Sequence, residues 1–520
     1  MASGTTLALD LIAFVVSILL FLRVNKWRMR KGLCLPPGPP RLPIVGNLFG
    51  MPRESSWLTY TEWGKVYGDI ISVQVFGQAV VVLNSAKVAR DLLEKKASIY
   101  SGRPTIPMFE LMKWSWFEMS NTYSAKWRLQ RKMLDRGLRP SAAVHYRSME
   151  KDKVHRFLKQ LLSRPKEFLK HIEHLQGAIT MSLVYGYDVE EENDGYIKLA
   201  LDTNEIGQRT MLPGSVIVND LPFLKHLPEW LPGMGFKALA RVGEKLGQEV
   251  VNRPFTLVKS NMQLGTARRC MTRENLLEAE GTHVSNPEEV DLAIAEASAS
   301  VYNAGVDSTV SAISTLFLAL ILHPDVQATA HAELDTVTGG QRLPDYGDRS
   351  QLPYVEAVCK EVLRWRNVAP VGVPHATTDD DIYDGYIIPK GTTVISNIWA
   401  ILHDPRVYPD PDKFKPERFL MPDGRVKEDA TLTAVFGFGK RICPGRHLVE
   451  STLFIVAASL MATYTIGKAK DPQGNEIPVD GTYTGATILS FPKEFKCSVV
   501  ARSNKAEELI RKDTWGNAAA

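Results

Sequence analysis

The 520-residue chain is poor in cysteine: Cys34, Cys270, Cys359, Cys443 and Cys497 are odd in number and widely spaced. No Cys-x-x-Cys pair occurs, so neither a disulfide framework nor a zinc ribbon is indicated, and reduced thiols in a cytosolic setting fit better. Excess charge of one sign is also lacking. The 62 basic and 58 acidic residues leave +4 at pH 7, too little to propose nucleic acid as a partner. With 44% hydrophobic and 23% charged residues, no internal repeat and no long low-complexity linker, the chain is not disordered, collagenous or coiled-coil. Length alone allows three or four domains of roughly 150 residues, but the missing linkers between 50 and 500 favour one large unit.

The charge that is present is uneven. Arg23, Lys26, Arg28, Arg30 and Lys31 fall within nine residues without an acid among them, and apart from them 57 basic residues face 58 acidic ones. They follow an apolar stretch, Thr5 to Leu22, whose single charge is Asp10. Its 18 residues just reach the length of a membrane-spanning helix. A cleaved signal peptide would carry its cations before the apolar run; here they come after it, which favours an uncleaved anchor with the following chain in the cytosol. Pro36-Pro37-Gly38-Pro39-Pro40 then reads as a stiff spacer in which no helix propagates. The expected organisation is an anchor at 1–22, a basic and proline-rich linker at 23–49, a catalytic body at 50–503 and a polar tail at 504–520.

Within the body, Trp57 to Tyr67 reads as a helix, and Ile70 to Val75 and Ala79 to Leu83 as a hairpin turning at Phe76-Gly77-Gln78. Helical periodicity marks Met149 to Leu162, Phe236 to Met262, Pro287 to Leu322 and Val326 to Val337. Strand signals lie in Asp381 to Ile388, Thr392 to Ser396, Thr487 to Ser490 and Lys496 to Val500. The fold class is therefore mainly α with small β-sheets.

The densest chemistry is Phe436-Gly437-Phe438-Gly439-Lys440-Arg441-Ile442-Cys443-Pro444-Gly445-Arg446. Glycines let a backbone approach a flat ligand closely, and N–H groups and cations around a cysteine favour its thiolate. That is the setting a haem-iron thiolate ligand needs. Taken alone, the loop is equally consistent with a turn around a buried thiol.

The loop does not stand alone. Phe436, Gly439, Arg441, Cys443 and Gly445 match every position of Phe-x-x-Gly-x-Arg-x-Cys-x-Gly, and the chain resembles the cytochromes P-450 over essentially all of residues 36 to 500. Glu361 and Arg364 fit that family's Glu-x-x-Arg helix, and Arg418 in Pro416-Glu417-Arg418-Phe419 fits the arginine completing a buried ion triad. Trp127 and Arg131 match Trp-x-x-x-Arg and would share a haem propionate, while His375 stands where the family has arginine or histidine and would address a propionate with Arg441. Ala304-Gly305-Val306-Asp307-Ser308-Thr309 is similar to the (Ala/Gly)-Gly-x-(Asp/Glu)-Thr stretch. There, small residues allow a local opening of the helix for dioxygen, and an acid followed by an alcohol relays protons. Ser308 departs from the usual threonine, and Thr309 follows it.

The resemblance implies haem b with Cys443 as axial ligand and electrons from NADPH through a membrane-bound reductase. That reductase would dock on Lys440, Arg441 and Arg446 by charge complementarity. It also implies a single-pass position in the endoplasmic reticulum membrane with no nucleic-acid partner. Substrate contacts would fall in Ser101 to Tyr123, Leu212 to Trp230, Ser300 to Ala304, Val368 to Val373 and Tyr483 to Thr487. The first of these is rich in apolar and aromatic residues, which points to an apolar, bulky substrate; the resemblance, which is strongest to fungal microsomal members, implies a terpenoid or related fungal secondary metabolite. An indole or aromatic amine is the alternative, with Glu110 and Glu118 as possible anchors for its ammonium group. A haem-thiolate isomerase or dehydratase that uses no dioxygen, and a non-catalytic haem-binding protein, are the rivals from other classes.

Overall fold

The computed structural model describes residues 33–211, 215–281, 286–485 and 488–512. The expected anchor and its five cations lie outside the described residues. The hairpin of β1 (Ile70–Val75) and β2 (Gln78–Leu83) reverses at Phe76 and Gly77, both with positive φ, the geometry that matches strand twist in a two-residue turn. The remaining strands, β3 (His375–Ala376), β4 (Asp381–Tyr383), β5 (Tyr386–Ile388), β6 (Thr393–Ser396), β7 (Tyr464–Lys468) and β8 (Cys497–Ala501), come late in the chain. β6 lies parallel to β2 and antiparallel to β3, giving one sheet ordered β1-β2-β6-β3, whereas β4 with β5 and β7 with β8 are separate hairpin-like pairs.

Helices dominate. Among the described residues those of eight residues or more are α1 (Ser56–Tyr67), α2 (Ala125–Leu138), α3 (Arg147–Ser163), α4 (Phe168–Tyr185), α5 (Gly195–Met211), α6 (Phe236–Gln263), α7 (Met271–Glu280), α8 (Pro287–Leu322), α9 (Pro324–Thr338), α10 (Pro353–Trp365), α11 (Arg446–Thr463) and α12 (Asn504–Arg511). The axis of the molecule is α8, 36 residues long and so about 54 Å at 1.5 Å per residue. Asn286 caps it by accepting from the Glu289 N–H, Pro287 occupies its first turn with Glu288 and Glu289, and Pro324 prevents its extension past His323. It is long and apolar enough to cross a membrane, yet most of its apolar window is buried inside the protein. A helix apolar on all sides is what a fully enclosed position requires. Ile313, Leu316, Phe317 and Leu320 of α8 pack with Phe157 and Leu158 of α3, Ile172 and Ile179 of α4, and Leu453 and Phe454 of α11.

Several expectations change. The proline segment is docked, not free: Ser72 donates through its N–H to the Pro37 carbonyl at 2.8 Å and through its hydroxyl to Pro36. A side chain at Gly38 would run into the Ser72 carbonyl. The body therefore begins well before residue 50. At the other end, the expected polar tail starts with α12, whose Ile510 is fully buried and whose Ile510 carbonyl meets His155 Nε2 at 3.0 Å. The strand signal at Thr487 to Ser490 fails over its described part, 488–490, which is bend and loop; the Ser490 N–H bonds to Val368 instead.

The Glu361, Arg364 and Arg418 triad is present. Glu361 and Arg364 are fully buried on α10 and pair in a fork, Nε to Oε2 at 2.6 Å and Nη2 to Oε1 at 2.8 Å. Arg418 Nε joins Oε1 at 3.1 Å and the Lys415 N–H donates to the same oxygen at 2.8 Å. Remaining guanidinium protons go to the carbonyls of Leu402 and Lys413. Such a site tolerates burial only while complete. Glu361→Gln leaves a buried cation unmatched and is expected to cost about 3–5 kcal/mol in urea denaturation; a loss below 1 kcal/mol would mean the triad is not structurally essential.

Candidate functional site

The cysteine loop is shaped by one close backbone approach. Gly439 has φ +55° and packs on the Leu93 carbonyl, which a Cβ at that position would strike. Gly437 is also at positive φ, and between them the chain bends so that the Cys443 N–H donates to the Phe436 carbonyl at 2.8 Å. The ring of Phe436 packs against the main core. Gly445 then opens α11, accepting from the Val449 N–H at 3.0 Å. Burial pushes the Cys443 thiol pKa up, while the Gly445 N–H and the charges of Arg131 and Arg446 pull it down. Gly439→Ala forces the loop off Leu93, and the expected result is a folded protein with little haem, read as Soret absorbance per mole of protein; full haem content would show that the loop can shift.

In and beside this loop the chain gathers three guanidiniums and one imidazole. Arg131, on α2, donates to the Ile442 carbonyl. Arg441 is buried, donates to the Ser101 carbonyl at 2.9 Å and the Asn121 carbonyl at 2.7 Å, and lies 4.3 Å over the Trp127 ring. Arg103, which sequence reasoning did not assign to the site, donates to the carbonyls of Met119, Val373 and Pro374 at 2.7–2.9 Å. Its neighbour Gly102 bridges to Ala376 of β3, a contact with no local sequence signal. Burial lowers the pKa of Arg103 to about 9 and of Arg441 to about 10, so both stay charged at neutral pH. His375, on β3, is buried with Nδ1 2.8 Å from the Tyr100 carbonyl. Burial, then the charge of Arg103, holds its pKa well below the usual value. It is a neutral imidazole that donates from Nδ1 and adds position but no charge to the cluster.

Trp127 Nε1 and Arg441 Nη1 are buried donors with no hydrogen-bond partner among the described residues. Unpaired donors of this kind are costly and call for an anionic acceptor. With the half-buried Cys443 thiol at one side, the donor set fits the two carboxylates and the iron of haem b.

On α8 the backbone stays helical through residues 304–309, so the expected opening at Gly305 does not occur. Gly305 serves close packing: a Cβ there would sit 3.2 Å from Thr180 of α4, and its carbonyl accepts from Gln176 Nε2 at 2.8 Å. Ala304 is exposed and Ser308, one turn on, is half-buried and donates to the Ala304 carbonyl at 3.0 Å. Thr309 is buried on another face, so Ser308 is the hydroxyl that shares the face of Ala304. Asp307 accepts from Gln208 of α5 at 2.6 Å, and Asn303 pairs with Asn204 of the same helix at 2.6 Å. These two contacts form a polar ladder between α5 and α8. Burial raises the Asp307 pKa to about 6, against the Gln208 hydrogen bond.

Other expected roles are redistributed. Trp114 and Met112 are spent on helix packing: the Trp114 indole donates to the Gly243 carbonyl at 2.8 Å, and Gly207, Gly243 and Gly247 on α5 and α6 leave the room they fill. Their apolar character is therefore partly an internal requirement. Glu110 pairs with Lys225 at 2.8 Å, and Glu118 faces Arg131 and Arg441, so neither is a free anchor for an ammonium group. Arg441 is consumed inside, which leaves exposed Lys440 and half-buried Arg446 as the outward cations of the loop.

Because the folded Asp307 binds its proton more tightly than the unfolded carboxyl, its contribution to stability falls as pH rises from about 4 to about 6 and is level above that. Asp307→Asn removes this fall. Urea denaturation across pH 4–7 checks it; identical pH slopes in both proteins would reject the buried protonated carboxyl.

The cytochrome P450 family model matches residues 36–493. Cytochrome P450 monooxygenase 208 of Postia placenta is 42% identical over 509 residues, covering 97% of each chain. Cytochrome P450 monooxygenase COX1 of Coprinopsis cinerea is 38% identical over 98% of this chain and 100% of its own. Cytochrome P450 monooxygenase claR of Ampulloclitocybe clavipes is 39% identical over 92% of this chain and 88% of its own.

Proposed function

Given that this chain belongs to the cytochrome P450 monooxygenases, oxidoreductases that use haem b and insert one atom of dioxygen, we propose that it hydroxylates an apolar small molecule of fungal secondary metabolism, most simply a terpenoid, at a membrane surface. The observation that carries this reading is the set of unsatisfied donors of Trp127 and Arg441 beside the Cys443 loop, with α8 tied to the same cluster through Ser300 and Glu118.

Haem b supplies the site where dioxygen is reduced and one oxygen atom becomes available for insertion into a C–H bond, the other leaving as water. The protein supplies the surroundings. Cys443 would supply a thiolate to the haem iron, with the Gly445 N–H and the cations Arg131 and Arg446 offsetting the burial that resists ionisation. Trp127, Arg131 and Arg441 would hold its carboxylates. Ala304 keeps one face of α8 free of bulk, and Ser308 Oγ presents a hydroxyl there. Asp307, with a pKa near 6, is poised to hold a proton and give it up at neutral pH, and Gln208 fixes its carboxyl with a neutral amide.

Substrate class is supported by what the site lacks. Ser300 and Asn303 of α8 are engaged with the chain itself, and Glu110 and Glu118 are paired, so an ammonium group meets no free carboxylate among these residues. An aromatic amine is thereby disfavoured relative to an uncharged apolar substrate. Membrane placement is supported by Ile44 and Phe49, about 80% exposed, just after the proline segment, and by exposed Phe223 and Trp230 between α5 and α6. Electrons would come from an NADPH-dependent reductase of the same membrane, meeting Lys440 and Arg446.

Microsomes containing the protein and a reductase, given NADPH and isotopically labelled dioxygen, are expected to add one labelled oxygen atom to a terpenoid, detected by mass spectrometry against an indole panel. The reduced carbon monoxide complex should show the red-shifted thiolate Soret band, absent in Cys443→Ala. Product formation without NADPH and dioxygen would favour the isomerase reading, and a missing thiolate band would remove Cys443 as the ligand.

A further inference from the structure

Glu118 is 7% exposed and sits in the loop that also buries Trp114, Trp116 and Phe117. Its Oε1 has no hydrogen-bond partner among the described residues and stands 3.9 Å from Arg131 Nη1 and 4.0 Å from Arg441 Nη1. Its backbone is fixed: the Glu118 N–H donates to Ser300 Oγ of α8 at 2.9 Å, and Ser300 donates onward to the Trp116 carbonyl at 3.1 Å. From the other side Arg103 holds the carbonyl of Met119 at 2.8 Å. The main chain is thus clamped on both sides of a carboxylate that is aimed among guanidiniums.

A charge count explains why. Buried Arg441 and half-buried Arg103 and Arg131 bring three positive charges to a place largely shielded from water, and His375 is neutral there. Haem b carries two propionates. Two anions against three guanidiniums leave one buried charge uncompensated, an arrangement that proteins pay for heavily. The outer aromatic of the group, Tyr123, faces Lys440 and Arg128 and supplies no further negative charge.

We propose that Glu118 is the third anion of the haem cage, neutralising the guanidinium that two propionates leave over and sharing Arg131 and Arg441 with them. This rests on the assignment of Trp127, Arg131 and Arg441 to the propionates; His375, neutral and donating its one N–H to the Tyr100 carbonyl, has no proton left to give them. Two consequences have definite signs. As a like charge beside the propionates, Glu118 weakens their hold. As a fixed negative charge near the iron, it favours the ferric over the ferrous state and lowers the reduction potential.

The test compares the parent, Glu118→Gln and Glu118→Asp, each loaded with haem b or with its dimethyl ester, whose propionates are uncharged. Loss of each haem to an excess of a scavenging apoglobin and the ferric–ferrous potential are measured. For haem b, Glu118→Gln is expected to slow loss several-fold and move the potential positive. For the diester the sign reverses, with loss several-fold faster, because the variant seals three guanidiniums with no anion. Glu118→Asp stays near the parent in both. Faster loss of both haems from Glu118→Gln would assign Glu118 to packing and overturn the proposal, as would no change in either. If the parent itself retains haem b and the diester equally, the propionate assignment fails and the proposal with it.

Discussion

Three guanidiniums, Arg441 buried and Arg103 and Arg131 half-buried, cluster beside Cys443 and set the terms for the rest of this structure. Each is bound by backbone carbonyls from other segments: Arg103 by 119 and 373–374, Arg131 by 442, and Arg441 by 101 and 121. A carbonyl can stabilise a buried cation only if its own segment is pinned. The cluster therefore ties the loop before α2, the strand β3 and the cysteine loop into one frame. It also keeps cationic charge beside the thiol whose ionisation burial opposes.

The helix α8, tied to this cluster through Ser300 and Glu118, is built on another principle. It is mostly apolar, so packing along its length fixes its position, and its polar contacts with α5 fall in the turn from Asn303 to Ser308, where Asn204 and Gln208 lie against it. Because that contact is polar on both sides, the acid at 307 is held by an amide and not by a cation. That choice leaves burial to govern its proton affinity, and burial raises it. Close packing also accounts for glycines that carry no chemistry. Gly207, Gly243 and Gly247 exist to admit Trp114, Trp116 and Met112, which joins the loop over the site to the α5 and α6 pair.

Much of this was legible in the residues. Helix α8 was marked by its periodicity and ended by Pro324, the β1–β2 hairpin by its turn, and the triad by two short motifs whose residues meet as expected. Motif spacing also located Cys443, Trp127, Arg131, His375 and Arg441. What escaped were residues whose meaning depends on a partner far along the chain. Arg103 has no periodic or motif signal; its role comes from the carbonyls it reaches. Glu118 reads as a surface acid or a substrate anchor until Ser300 and the arginines surround it. Conversely, Arg441 and the aromatic loop suggested a docking surface and a pocket lining, and packing consumed the first wholly and the second in part. The proline segment and the chain end at α12 read as polar or extended excursions because their docking surfaces, Ser72 and α3, are distant in sequence.

By itself the sequence determined the position of the cysteine loop, the extent of the central helix, and the family to which they belong, because those rest on local geometry and fixed spacing. Only the tertiary structure decided the charge balance of the site, the face on which Ser308 rather than Thr309 lies, and the neutral state of His375. These follow from burial and from which unlike segments share a dry space, and desolvation is a property of the packed chain that no stretch of residues carries alone.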